Sequence, residues 1–244
     1  MSEITTQVSS SVNALMQELD IITHNLANSS TVGYKRRCNA FSKSLEAQQG
    51  GVDPQTPAGI DLRTMFDFSQ GNVIETGRPL DFAVCGKGFF VIETPQGPLY
   101  TRNGMFQTNQ NGQVVDSQGR GVAGQSGPIT IPNDIGLSQV NVANDGSVSA
   151  GGAVIGKFRI VDFGDNEKNL LPAGLNCFRM TDENIRPVDA EHTVVKQGYQ
   201  ESSNVRMVDE LVGMITVSRL YEANMKFISA RKEASGSLMS VAMG

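Results

Sequence analysis

Val8-Ser-Ser-Ser-Val12-Asn-Ala-Leu15-Met-Gln-Glu-Leu19-Asp-Ile-Ile22-Thr-His-Asn-Leu26 is the stretch on which the reading of this chain turns. Its residues Val8, Val12, Leu15, Leu19, Ile22 and Leu26 fall alternately four and three apart. On a helix that spacing draws one apolar stripe, the a/d seam of a coiled coil. The rest of the stretch is mostly Ser, Thr, Gln and Asn. A helix is therefore expected from about Ile4 to Asn28, stopped by the polar turn-formers and glycine of Asn28-Ser-Ser-Thr-Val-Gly33.

The far end of the chain repeats the device. Ser202-Ser203-Asn204 offers helix caps, and Asp209 and Glu210 follow in the early turns. Met207, Leu211, Met214, Tyr221, Met225 and Ile228 continue the four-three spacing, with Ser218 filling one gap. Val208, Val212, Ile215 and Leu220 form a second stripe beside the first, so a helix is expected from Val205 to about Ala234, weakening at Gly236. An isolated amphipathic helix is marginal in water, because nucleation is costly and its apolar face has nothing to cover it. Two arrangements would cover these faces. One is a helical hairpin within the chain; the other, which this reading prefers, adds pairing against neighbouring copies, with full order reached on assembly.

Between the ends the period changes. Phe82-Ala-Val-Cys, Gly88-Phe-Phe-Val-Ile-Glu, Gly112-Gln-Val-Val-Asp, Pro128-Ile-Thr-Ile-Pro, Gln139-Val-Asn-Val-Ala, Gly146-Ser-Val-Ser-Ala and Lys157-Phe-Arg-Ile-Val-Asp-Phe are short β-type runs. Turn signals such as Asn111-Gly112 and Asp145-Gly146 separate them. Strands this short and frequent suit an antiparallel all-β domain. The expected fold class is thus α+β. Long N- and C-terminal coiled-coil-forming helices (1–40 and 200–244) pair as one rod-like domain; an extended connector covers 41–75 and a central antiparallel all-β domain covers 76–199.

Composition narrows the function classes. The net charge of −5 leaves no basic footprint for nucleic acid, and Lys35-Arg36-Arg37 reads as a solvated loop. No apolar run is long enough for membrane insertion, and the N-terminus lacks the basic region and apolar core of a cleaved secretory signal. Cys38, Cys85 and Cys177 are widely spaced, with no CxxC or Cys/His pairing, and read as incidental thiols. The two histidines, His24 and His192, have no ligand-spaced partner, and HExxH, GxSxG and P-loop patterns are absent. Gly119-Arg-Gly-Val-Ala-Gly124 matches GxGxxG in letters, but β sequence flanks it and no helix N-terminus follows to face a phosphate. Asp162, Asp165 and Glu167 lack calcium-loop spacing. No cofactor, metal or catalytic residue is expected. A dispersed-site hydrolase gains nothing from terminal heptads, and a secreted adhesive or carbohydrate-binding β-protein would want more aromatic residues than a chain without Trp offers.

Several motifs, taken together and in order, carry a resemblance. Ile22-Thr-His-Asn-Leu-Ala-Asn-Ser-Ser-Thr-Val-Gly-Tyr-Lys35 resembles the N-terminal signature of the flagellar axial (rod and hook) proteins. Ser69-Gln-Gly71, Gly77-Arg-Pro-Leu-Asp81, Gly86-Lys-Gly-Phe-Phe90 and Tyr100-Thr-Arg-Asn-Gly-Met-Phe106 resemble central signatures of that family. Gln197-Gly-Tyr-Gln-Glu-Ser-Ser-Asn-Val205, Glu210-Leu-Val-Gly-Met-Ile215 and Arg219-Leu-Tyr-Glu222 resemble its C-terminal one. The resemblance implies that Asn25, Leu26, Ala27, Asn28, Gly33, Tyr34, Ser203, Asn204 and Val205 are family-motif positions. It implies a structural, non-enzymatic subunit of the basal-body rod crossing the periplasm, with terminal helices lining a tube and a β domain outside. Its implied partners are copies of itself, other axial (rod and hook) proteins and the flagellar type III export apparatus, which exports such chains unfolded without a cleaved signal. A hook-type member would carry more β material, and size and Gly77–Asp81 favour the proximal-rod type over the distal-rod type. The latter carries a longer insertion where only about 28 residues separate Phe41 from Ser69.

Overall fold

The computed structural model describes residues 2–39, 64–182, 184–190 and 193–243, and side chains over 10–39, 64–182, 184–190 and 193–234. The chain divides into two compact units. Residues 1–27, 37–66 and 205–244 make the first, and residues 28–36 and 67–204 the second. Most of the connector expected over 41–75, namely residues 41–63, lies outside the described residues.

The first unit holds two long helices, α1 (Ser2–Ala27) and α2 (Met207–Met243). These helices pack on each other, and the two-stranded antiparallel ribbon of Arg37–Asn39 with Thr64–Phe66 completes the unit. Helix α1 ends where Asn28 and its neighbours turn, with Thr31 N–H donating to Asn28 C=O at 3.1 Å and Gly33 at φ +68°. Helix α2 runs past Gly236, beyond the boundary expected from the sequence. One interior glycine costs about 1 kcal/mol relative to alanine, and the Leu238, Met239 and Ala242 that follow are good helix formers.

The second unit is built from short antiparallel strands. Its largest sheet has six, in the spatial order Leu170–Pro172, Cys177–Met180, Leu99–Thr101, Phe89–Ile92, Ile160–Asp162, Val188–Asp189. A three-stranded meander of Val140–Val142, Ser147–Ala150 and Ala153–Lys157 lies in the same unit. So do the pairs Phe82–Cys85 with Val194–Gln197 and Val73–Glu75 with Tyr199–Glu201. Successive strand residues face opposite sides, and the central strand uses both. Phe90 joins Phe82, Phe106 and Phe158 in one aromatic core, with ring centroids 5.0–6.1 Å apart. Phe89 meets Phe68, Phe163 and Phe178 on the other side. Edge-to-face pairs of this kind add to the area they bury. Gly104 sits so close to Phe82 that a Cβ there would lie 1.9 Å from the Phe82 carbonyl oxygen. The Gly119–Gly124 stretch is hairpin and strand, with Gly121 bridged to Val115 and Ala123–Gly124 paired to Gly127–Pro128.

Candidate functional site

Helix α2 carries apolar side chains all round, and its own unit covers only one side of them. The packed stripe is Glu210, Gly213, Val217, Tyr221, Asn224 and Ile228, of which Glu210 and Val217 are buried. Gly213 permits close approach, since a Cβ there would lie 3.3 Å from Ile22 Cδ1 of α1. Of the residues assigned to the C-terminal seam, Met214, Tyr221 and Ile228 are half-buried, whereas Met207, Leu211 and Met225 are exposed. The second stripe is more open: Val208 is 71%, Val212 59%, Ile215 55% and Leu220 49% exposed. In α1, Ile21 and Ile22 are buried and Val12, Leu15, Leu19 and Leu26 half-buried; the side chain of Val8 lies outside the described residues. The four-three count missed that Glu210 and Gly213 set the packed face. A charged residue and a glycine carry no hydrophobic signal.

Asn25 ties this unit together. Fully buried, it accepts from the Arg37 N–H through Oδ1 at 2.8 Å and donates through Nδ2 to the Arg37 carbonyl at 2.9 Å. The same Nδ2 reaches Glu210 Oε2 at 3.4 Å. One side chain thereby links α1, the first strand of the ribbon and the start of α2. Asn39 of that strand also donates to Glu18 of α1. His24 is half-buried nearby; burial lowers its pKa, and the Arg37 charge lowers it further.

In the second unit, charges are buried where a β core would ordinarily exclude them. Lys35 Nζ and Glu201 Oε1 stand 2.7 Å apart with neither side chain exposed. Nζ also donates to the Ser69 carbonyl at 2.7 Å, and Oε1 accepts from the Gly71 N–H at 2.9 Å. Arg102, also buried, reaches Glu201 Oε2 at 3.5 Å and the Val84 carbonyl at 3.3 Å, and its guanidinium lies 5.1 Å over the Phe89 ring. Burial pushes the Lys35 pKa down, opposed by the Glu201 charge, and does the same to Arg102. Half-buried Glu167 shifts upward, chiefly through burial and then through Asp162. Asn204 completes the joint. Its Oδ1 accepts from the Arg36 N–H at 2.7 Å, and its Nδ2 donates to the Asp67 and Ser69 carbonyls at 2.8 and 3.1 Å.

Gly33 and Gly71 are required by close approach. A Cβ on Gly33, already at φ +68°, would fall 2.4 Å from Asn103 N, and one on Gly71 2.0 Å from Ser202 O. Tyr34 and Ser203 are buried, Leu26, Asn28, Asn204 and Val205 half-buried and Ala27 exposed. Among the described residues no cluster of His, Cys, Asp or Glu could hold a metal ion, and His192 lies outside them. Asp162 caps the Gly164 N–H at 2.9 Å. None of the three cysteines is in a disulfide; buried Cys177 receives a hydrogen bond from Arg120 Nη2 at 3.2 Å, and burial raises its pKa. No helix of the described residues is long and apolar enough to cross a membrane.

Three family models match the chain: flagella basal body rod protein over residues 9–35, the D1 domain of flagellar hook protein FlgE/F/G over 83–150, and the C-terminal part of flagellar basal body rod FlgEFG protein over 196–241. The flagellar basal-body rod protein FlgG of Agrobacterium fabrum is 35% identical, over 91% of this chain and 92% of its own. The chain belongs to the flagellar basal-body rod family. FlgF of Caulobacter vibrioides is 33% identical, over 91% of each chain, and FlgG of Bacillus subtilis 31% identical, over 92% and 93%. Rod proteins of both names therefore resemble the chain to a similar degree.

Each of the three matched segments of this rod-family chain supplies one member of the buried charge cluster. Lys35 ends the first, Arg102 lies in the second and Glu201 in the third. The motifs could be picked out along the sequence, but nothing there showed that they converge.

Proposed function

We propose that this chain is a structural, non-enzymatic subunit of the flagellar rod, exported unfolded through the flagellar type III apparatus. It then assembles in the basal body with copies of itself and with other axial proteins. The observation that carries this reading is the uncovered second stripe of α2. Burying a Val, Leu, Ile or Phe side chain is worth about 1.5–3 kcal/mol, and Val208, Val212, Ile215, Leu220 and Phe227 are all half exposed or nearly so. Exposed apolar residues gathered on one helix, with Val208, Val212 and Ile215 at four-three spacing, mark an interaction surface. Under this reading the seams Val8 to Leu26 and Met207 to Ile228, with the stripe beside them, join neighbouring helices in a left-handed coiled-coil-like layer, while the β unit folds on its own core.

Within the family we favour the proximal-rod, FlgF-like type. Alignments with FlgG of Agrobacterium fabrum and FlgF of Caulobacter vibrioides take in the same 91% of this chain, yet the first runs over 253 positions and the second over 226. FlgG thus carries additional chain with no counterpart here. The test is complementation of motility in strains lacking one rod protein or the other. Restoration in the FlgF-deficient strain alone supports the assignment. Restoration in the FlgG-deficient strain alone reverses the subtype, and failure in both with the protein exported removes the rod role.

A further inference from the structure

Two charges taken out of water are costly, and their attraction offsets that cost only where the remaining donors and acceptors are also satisfied. The Lys35–Glu201 pair meets this condition by reaching three chain segments at once. Nζ is held by Ser69 O and Oε1 by Gly71 N–H, while the pair itself joins segment 33–36 to segment 201–204. Backbone bonds follow the same alignment. Gly33 N–H donates to Glu201 C=O at 2.7 Å, Arg36 N–H to Asn204 Oδ1 at 2.7 Å and Asn204 N–H to Tyr34 C=O at 3.4 Å. A slip of one residue along 33–36 would withdraw the ammonium and present Tyr34 or Arg36 to a buried carboxylate. Arg102 is poorly placed to substitute, because it stands 3.5 Å from Oε2 and its Nε has no hydrogen-bond partner among the described residues.

We propose that Lys35 and Glu201 form a register lock: the buried pair selects one seating of segment 33–36 against segment 201–204 and adds little to the net stability of the β unit. Both are positioning residues. The lock holds in a single alignment the segment that follows α1 and the segment that precedes α2, whatever the chain assembles with.

The test uses the full chain and three variants, K35M, K35M/R102M/E201L and the reversed pair K35E/E201K. Hydrogen exchange is followed at the Gly33 and Arg36 amides and across Phe89–Ile92, alongside urea unfolding. In K35M, exchange at Gly33 and Arg36 rises by at least about 100-fold, the scale expected when a buried charge is left unpaired. In K35M/R102M/E201L, which removes every charge of the buried cluster, the strand keeps its protection and the urea midpoint stays near wild type, while Gly33 and Arg36 remain fast. The reversed pair restores nothing, because the Ser69 carbonyl has no proton to donate to a carboxylate and the Gly71 N–H cannot accept from an ammonium. Wild-type protection of Gly33 and Arg36 in any of the three variants overturns the lock. So does loss of strand protection in K35M/R102M/E201L, which makes the cluster a stabiliser instead.

Discussion

Helix α2 and the strand Phe89–Ile92 are both dense in large apolar residues, and the molecule treats them in opposite ways. Phe89, Phe90, Val91 and Ile92 are at most 2% exposed, whereas Val208, Val212, Ile215 and Phe227 are 52–71% exposed. The β unit closes its core with the chain's own residues, while the helical unit leaves an apolar face that one chain does not cover. Under the proposed function this is a division of labour, with one unit made to fold and the other to be joined.

The comparison can be broken first at its closed side. Phe90→Ala should destabilise the β unit by about 3–5 kcal/mol through lost burial and a cavity among Phe82, Phe106 and Phe158, measured by denaturant unfolding followed on that unit. A loss under about 1 kcal/mol would mean the core is looser than its ring contacts indicate. Asn25→Ala comes next, with about 1–3 kcal/mol lost from the helical unit, because Arg37 and Glu210 lose a buried partner. Helical circular dichroism of the polymer against temperature reads it, and an unchanged midpoint would remove Asn25 as the tie of that unit. Ile215→Ser should sharpen the contrast. It shifts monomer stability by no more than about 0.5 kcal/mol yet abolishes polymerisation in a sedimentation assay. Normal polymers from that variant would take Ile215 out of the assembly face.

The smallest effect concerns the exposed turn at Asp145. Hydrogen bonds from the Ser147 hydroxyl and backbone, then from Lys157, hold its pKa down at about 2. A depressed carboxylate contributes stability that is present above its unfolded pKa of 3.8 and lost as pH falls towards 2. Asp145→Asn should therefore flatten that part of the acid limb slightly in a pH series of urea midpoints and change nothing near neutrality. An unaltered acid limb would rule this contribution out.

Legibility in the sequence followed the same divide. Strong periodicity is local, so the helical stretches at both ends and the β-type runs around Phe82, Phe89 and Ile160 could be read directly. Which face of α2 packs was not legible, because Glu210 and Gly213 define it through a hydrogen bond to Asn25 and close approach to Ile22. The buried charges were harder still. Lys35 looked like part of a solvated basic loop, and only folding brings it beside Glu201 from 166 positions away. The signature glycines were visible as motif letters, while the reason for them, backbone approach at Asn103 and Ser202, belongs to tertiary structure.

The central claim is that assembly, not the single chain, completes the helical unit. Hydrogen exchange on a verified dilute monomer and on the polymer tests it most directly. The account predicts fast exchange across α1 and α2 in the monomer, a protected Phe89–Ile92 strand in both forms, and slowed exchange along Val208–Phe227 on assembly. Helices as protected in the monomer as in the polymer would contradict it.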